Sequence, residues 1–288
     1  MEINAYAKIN IGLDVIRRRP DGYHEVRMIM QQIGLHDVLY IDREDVPGIR
    51  ITTGKEELPS GEDNLIYKAA RLMMDEYNLS GGVRVDLKKN IPIAAGLAGG
   101  STDAAATLIA INRLYDLGLS QEELMKLGVR IGADVPFCIM GGCAMAEGIG
   151  EILTPIESHV NFKVLLAKPS ESVSTKYVYE HLNFGHMVHP DIDAIADGLA
   201  GGDVGKVVRN MGNVLETVTA SEVTAIGNIE RIMAGCPGNL KAMMSGSGPT
   251  VYGLFDCNCP EDEINGAYGS VEASGYAREL YMTDFYYP

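Results

Sequence analysis

Ile91-Pro92-Ile93-Ala94-Ala95-Gly96-Leu97-Ala98-Gly99-Gly100-Ser101-Thr102-Asp103-Ala104-Ala105-Ala106 is a glycine-rich loop that runs straight into an alanine-rich stretch. Val83, Val85 and Leu87 alternate ahead of it and predict a strand. Behind it, Ala104, Leu108, Ile111 and Tyr115 recur at helical spacing. A strand, a glycine loop and a helix start in that order make an anion site. Glycine lets backbone N–H groups approach a ligand closely, and the first turn of a helix carries unpaired donors and partial positive charge. In proteins the anion held this way is often a phosphate. Gly100-Ser101-Thr102 lacks the lysine that a Walker-type loop places before its hydroxyl residue. Any cationic help for a nucleotide must then come from elsewhere in the chain.

Working outward, the pattern on the N-terminal side is of strands through about residue 55. Ile9, Ile11, Leu13 and Val15 alternate, and a second run covers Met28 to Ile33, with the turn Arg19-Pro20-Asp21-Gly22 between them. A helix is predicted from Asp63-Asn64 to about Tyr77. Ser120 with Glu123 forms a capping box ahead of another helix. Residues 143–167 return to strand-like alternation. A change of composition at Lys168-Pro169 predicts two domains, 1–167 and 168–288. In the second, helices are expected at about 174–183, 191–200 and 221–235. A strand (Leu240 to Met244), a glycine turn, a strand (Thr250 to Phe255), a helix and a last strand follow. This is an α+β sandwich with antiparallel strands.

Composition narrows the function. The 288 residues are 46% hydrophobic and 22% charged, enough for a buried core. A formal net charge of −15 argues against nucleic-acid binding but not against a small anionic ligand in a local pocket. No apolar run spans a bilayer, and no basic-then-apolar leader opens the chain. Five cysteines show no disulfide or zinc spacing, and Cys257 and Cys259 read as free thiols. The expectation is a cytoplasmic protein that avoids membranes and nucleic acid.

Four further segments carry polar residues able to do chemistry. Asp134 in Ile131-Gly132-Ala133-Asp134-Val135-Pro136-Phe137 lies in apolar company. It is either a turn cap before Pro136 or a carboxylate held by a cation or donor. Lys8 and Asn10 share one face of a strand; alone they read as a solvated face, but a lysine paired with a catalytic carboxylate would keep it ionised. Tyr23 and His24 follow the turn and offer a flat face and a two-edged ring. Ser245-Gly246-Ser247-Gly248-Pro249-Thr250 reads as a hairpin whose amides could serve a nearby phosphate. His186 and His189 have metal-like spacing without a third ligand in view. Met73, Met74, Met243 and Met244 read as core filler.

In their order AYAKINIGLDV, RPDGYHEV, DNLIYKAARL, PIAAGLAGGSTDAA, GADVPFCIMGG and SGSGPTVYGLF, these pieces resemble the GHMP kinase superfamily. Within it they are similar to the 4-diphosphocytidyl-2-C-methyl-D-erythritol kinase family, over nearly the whole chain. The resemblance implies a two-domain GHMP kinase fold: an N-terminal domain like domain 2 of ribosomal protein S5, for ATP binding and catalysis, and a C-terminal ferredoxin-like α/β sandwich that contributes to the substrate site. It implies ATP as co-substrate with Mg²⁺, a cytidine diphosphate-linked methylerythritol as acceptor, and a monomer or weak homodimer. Residue by residue, it implies Asp134 as general base paired with Lys8. Pro92, Ala94, Ala95, Gly96, Leu97, Ala98, Gly99, Gly100, Ser101 and Thr102 would wrap the ATP phosphates, with Asn64, Lys89 and Asn112 near the adenosine. Asn10 and Thr175 would hold the erythritol end, His24 the cytosine edge, and Tyr23 with Tyr179 the cytosine faces; Tyr177 remains an alternative to Tyr179. Ser245, Gly246 and Gly248 would support the loop or the substrate. No carboxylate is clearly placed for the metal. Ala95 and Ala98 stand where many relatives have glycine, and both are small enough to be tolerated. The competing readings are another small-molecule kinase of the superfamily, of homoserine or mevalonate type, and a catalytically silent nucleotide- or RNA-binding module.

Overall fold

The computed structural model describes residues 1–185 and 187–288. In chain order the elements are β1 (Glu2–Arg18), β2 (His24–Glu44), β3 (Gly48–Thr52), α1 (Leu65–Glu76), β4 (Gly82–Lys88), α2 (Gly99–Leu114), α3 (Gln121–Val129), α4 (Val135–Met140), β5 (Cys143–Glu147), β6 (Ile152–Pro155), β7 (Phe162–Lys168), α5 (Thr175–Glu180), α6 (Ile192–Gly201), α7 (Val204–Asn210), α8 (Glu216–Glu222), α9 (Thr224–Ala234), β8 (Asn239–Met244), β9 (Val251–Asp256), α10 (Glu261–Ser274) and β10 (Glu279–Asp284). They form two compact units. The first comprises Met1–Ala7, Leu35–Ile91 and Ala98–Gly141; the second comprises Lys8–Gly34, Pro92–Leu97 and Gly142–Pro288.

In the first unit, β4 lies between β3, which it pairs in parallel, and the C-terminal half of β2, which it pairs antiparallel with Ile41 opposite Val85. Val83 and Val85 are fully buried while Arg84 points outward, as a half-buried strand requires. Helices α1, α2 and α4 complete this core through Ile66, Ala70, Met73, Ala104, Leu108, Ile111 and Phe137. Asn64 caps α1 by accepting from the Ile66 N–H, and the Ser120–Glu123 capping box of α3 is present.

The second unit holds an antiparallel sheet in the order β10-β7-β9-β8. Helix α9 packs on β8 and β9, and α10 packs on α9 and β7. The N-terminal half of β2 pairs with β5, and β5 pairs with β6, both antiparallel. All five cysteines are free. Among the described residues no helix is long and apolar enough to cross a membrane.

Three short helices depart from the pattern read in the sequence. Helix α4 begins beside Pro136, which fits its first turn, where no N–H partner is lost. Helix α7 and helix α8 carry β-branched residues that weaken a helical signal. The helix expected over 221–235 is two elements, because Val223 at φ −117 and ψ 89 ends α8 and opens α9. The helix expected at 174–183 stops at Glu180.

Candidate active site

Strand β1 in the second unit carries the first part of the site. Residues 7–15 are buried on both faces, so Lys8 (5% exposed) and Asn10 (0%) do not form a solvated strand face. The Lys8 ammonium donates to Asn10 Oδ1 at 2.6 Å, and Asn10 Nδ2 donates to Met28 Sδ at 3.2 Å. The Asn10 carbonyl accepts from the Tyr252 hydroxyl at 2.8 Å. Burial, with the nearby Glu216 and Glu230 carboxyls, raises Tyr252 well above its ordinary value and keeps it a donor. These bonds fix both side chains before any ligand arrives.

The Ser245–Gly248 turn joins β8 to β9, as a hairpin, and closes on the glycine loop. Ser245 Oγ donates to the Gly96 carbonyl at 3.1 Å, and the Lys8 N–H donates to Leu97 O at 3.2 Å. Gly96 has φ +74, and a Cβ there would stand 2.2 Å from Ser245 O. Gly246 has φ +58; its missing Cβ would lie 3.4 Å from Asn10 Oδ1 and 3.5 Å from Lys8 Nζ. The two glycines thus bring two backbones and one ammonium within van der Waals reach. The Met244 sulfur would block a Cβ on Gly248. Thr175 Oγ1 and Ser247 Oγ share a hydrogen bond of 2.8 Å, which ties the start of α5 to the turn.

An aromatic cluster stands at the start of β2. The His24 ring lies 5.1 Å from Tyr179 and 6.2 Å from Phe184, stacked on the latter at 13°. Burial, then the charge of Arg18, lowers the His24 pKa. The ring is therefore neutral near pH 7 and offers one donor and one acceptor. Tyr23 is 60% exposed. Tyr177 stacks on His181 and donates to Glu222 at 3.1 Å, so its ring already has a neighbour. Phe184 carried no sequence signal, because it sits in a loop without periodicity.

In the first unit the chain enters α2 through Ala98, at φ +57, with no side chain capping the helix. Ala94 is also left-handed, at φ +51. The left-handed bend is thus taken up by alanine at both positions, at a cost of roughly 1 kcal/mol each. Ala95 is buried and accommodated. The uncapped first turn, Gly99 to Ser101, is where an anion would find donors. Thr102 is buried and donates to Tyr6 O at 2.7 Å, so its hydroxyl is used inside the fold. Asn64 serves α1 and donates to Pro59 O, while Asn112 braces Leu119 through both its amide atoms.

The Lys89 side chain is buried, with Nζ 2.5 Å from Asp37 Oδ2 and 2.7 Å from Asp103 Oδ2. Asp37 Oδ1 accepts from the N–H groups of Asn90 and Ile91. Burial, then the Asp37 charge, outweighs Lys89 and raises the Asp103 carboxyl well above its usual range. Lys89 is thus flanked by two carboxyls, and its charge is offset within the triad. The lysine therefore holds the base of α2 together, with Nζ 3.0 Å from the position a Cβ on Gly99 would take.

Asp134 is half-buried at the N-cap position of α4, with φ −80 and ψ −16, and its side chain does not cap the helix. The side chain is therefore not the cap of α4. Of the histidine pair, His186 lies outside the described residues, and His189 Nδ1 meets Asp14 Oδ1 at 2.6 Å. Among the described residues no three His, Cys, Asp or Glu stand together as a metal cage.

Comparisons with known proteins agree with this layout. The family described as GHMP kinases N terminal domain matches residues 64–142, and GHMP kinases C terminal matches 194–274. A 4-diphosphocytidyl-2-C-methyl-D-erythritol kinase of Lachnospira eligens is 49% identical, covering 100% of this chain and 99% of its own. One from Clostridium perfringens is 48% identical over 89% of each chain. A crystal structure of 4-(cytidine 5'-diphospho)-2C-methyl-D-erythritol kinase matches at TM-score 0.81 and 32% identity over 100% of both chains. A homoserine kinase from Cytophaga hutchinsonii matches at TM-score 0.77 but 18% identity, over 98% of this chain and 94% of its own, and so shares the fold. The chain belongs to the 4-diphosphocytidyl-2-C-methyl-D-erythritol kinase family of the GHMP kinases.

Proposed function

We propose that the chain transfers the γ-phosphoryl group of ATP to the 2-hydroxyl of 4-(cytidine 5'-diphospho)-2-C-methyl-D-erythritol, in the non-mevalonate route to isoprenoids. The observation that carries this beyond family membership is the half-buried, neutral His24 ring with Tyr179 and Phe184 beside it, a site suited to a flat heterocycle with mixed donors and acceptors. Mevalonate and homoserine offer no such ring.

Phosphoryl transfer asks mainly for positioning and charge neutralisation. In this reading Asp134 accepts the proton of the attacking hydroxyl. Lys8 pairs with that carboxylate and the hydroxyl, while Asn10 and Thr175 hold the erythritol end. The loop from Pro92 to Thr102 wraps the triphosphate with backbone donors, and Asn64, Lys89 and Asn112 shape the adenosine side from within the fold. Tyr23 closes over the cytosine opposite Tyr179 or Phe184. Labour divides at Lys168: residues 1–167 bind ATP and carry Lys8 and Asp134, and 168–288 supply Thr175, Tyr179 and the Ser245–Gly248 turn. The described residues do not form a protein cage for Mg²⁺; the ion belongs to this reading as the companion of ATP, and no step is assigned to it. A cytoplasmic monomer or weak homodimer, acting on a small molecule apart from membranes and nucleic acid, completes the proposal.

The test is ATP turnover against the cytidine substrate, mevalonate and homoserine, followed by ADP release and product mass. Turnover of mevalonate or homoserine with none of the cytidine substrate overturns the proposal. His24→Ala is expected to raise KM for the cytidine substrate about 10-fold or more, and that for ATP less than about 2-fold. Equal effects on both would make His24 a structural residue.

A further inference from the structure

The segment from Gly212 to Thr219 is tied to β1 and to the hairpin turn at once. Leu13 N–H donates to Gly212 O at 2.9 Å, and Val214 N–H donates to Leu13 O at 3.1 Å, so the segment is docked on the strand that carries Lys8 and Asn10. Asn213, 8% exposed, then spends its whole side chain on backbone. Its Nδ2 donates to Met244 O at 2.9 Å and to Gly246 O at 2.8 Å, and its Oδ1 accepts from Leu215 N at 3.0 Å. That uses both amide donors and one acceptor. Thr219, fully buried, has its single hydroxyl proton between two acceptors, Ser247 O at 3.2 Å and Leu215 O at 3.3 Å. Glu216 Oε2 accepts from Met244 N at 2.9 Å.

Three side chains of one short stretch, spaced three residues apart, thus grip residues 244, 246 and 247. The grip falls where the turn has least stiffness of its own, because Gly246 and Gly248 sit in left-handed backbone and lack side chains to hold them. A peptide unit is planar, so fixing the Gly246 and Ser247 carbonyls also fixes the planes of the two peptides that follow. The opposite side of Gly246 is the side that faces Lys8, Asn10 and the Gly96 carbonyl.

We propose that Asn213 and Thr219 are positioning residues of the phosphoryl-transfer site: they set the Ser245–Gly248 turn against Lys8, Asn10 and Gly96 and thereby hold the Lys8 ammonium in its working place. This rests on the kinase reading given above. Neither side chain touches substrate; both act through backbone carbonyls. Glu216 contributes the same anchorage from the β8 side. Its neighbour Glu230 is pushed up to about 8, chiefly by burial and then by the Glu216 charge, and so keeps a proton that the pair can share at neutral pH.

The experiment uses the full chain and the series Thr219→Val, Thr219→Ser and Asn213→Asp, with kcat, both KM values and Tm measured for each. Thr219→Val keeps shape and removes the donor. It is expected to lower kcat about 10-fold or more while KM for ATP moves less than about 2-fold, and Thr219→Ser is expected to recover kcat to within about 2-fold. Asn213→Asp sets a carboxylate against two carbonyls and is expected to lower kcat further. Should it fail to fold, the Thr219 pair still decides. Wild-type kcat in Thr219→Val, with only Tm reduced, would show a brace without a part in the reaction and would overturn the inference. So would a Thr219→Ser enzyme as slow as the valine variant. Wild-type turnover is measured first. If the wild type rejects the cytidine substrate and accepts another alcohol, the proposed acceptor falls, and the same kcat comparison on that alcohol still tests the positioning role.

Discussion

Asp134→Asn is expected to lower kcat by about 100- to 10,000-fold while ATP affinity stays within about 2-fold. The carboxylate sits at the N-cap position of α4 without bonding the helix's N–H groups, so the amide takes no cap from that helix; the Tm of the variant is measured alongside. What changes is chemistry. In the proposed mechanism Asp134 is the base, and an amide of the same shape cannot take the hydroxyl proton. A 1,000-fold loss corresponds to about 4 kcal/mol of transition-state stabilisation, in the range reached when a base is removed. The measurements are ADP release under saturating substrate and calorimetric binding of a non-hydrolysable ATP analogue. Turnover near the wild-type rate would take Asp134 out of the mechanism. Loss of ATP binding in step with turnover would assign it to the nucleotide instead.

Gly96→Ala is expected to be the most damaging single change in the glycine loop. Its Cβ would meet Ser245 O at 2.2 Å, Gly248 N at 3.0 Å and Gly248 O at 3.1 Å. All three are backbone atoms, so no rotamer change relieves the contact. The left-handed φ of +74 adds about 1 kcal/mol for any residue with a Cβ. The turn and loop must separate, which breaks the Ser245 Oγ bond to Gly96 O and uncovers Lys8 and Asn10. A destabilisation of about 3 kcal/mol or more, with turnover reduced beyond measurement, follows. Gly118→Ala is the control: φ is +67 but no atom lies within 4 Å of the new Cβ, so it should lose only the backbone contribution. Urea unfolding of both variants separates the two causes. Equal losses would show that the fit of turn to loop adds nothing.

The sequence shows plainly those features set by local chemistry. The strand before the glycine loop, the helix after it, the Asn64 cap and the Ser120–Glu123 box all depend on residues within a few positions of one another. The hairpin at Ser245–Gly248 is legible for the same reason. What could not be read depends on partners far along the chain. Lys8 and Asn10 alternate like a solvated face, and only the cover of residues 28, 246 and 252 makes that face interior. Lys89 looks like a nucleotide's lysine until Asp37 and Asp103 are found on either side of it, 52 and 14 residues away. The 213–219 segment has neither a strong helical stripe nor a motif, yet it secures the turn through three side chains. Phe184 joins His24 across 160 positions of loop and strand, a pairing no local period announces.

The buried Lys89 triad has a kinetic consequence. With its charge offset by Asp37 and Asp103, the lysine projects no long-range positive field toward the uncapped start of α2. In the proposed reading a nucleotide is then caught by backbone dipoles, whose pull fades faster with distance than that of a bare charge. Around those dipoles lies a chain of net charge −15, which repels an incoming polyanion. Added salt shortens the reach of that repulsion to a Debye length of roughly 10 Å at 0.1 M. The association rate of ATP should therefore rise with ionic strength over the low-salt range, opposite to the slowing seen where exposed lysines steer the ligand in.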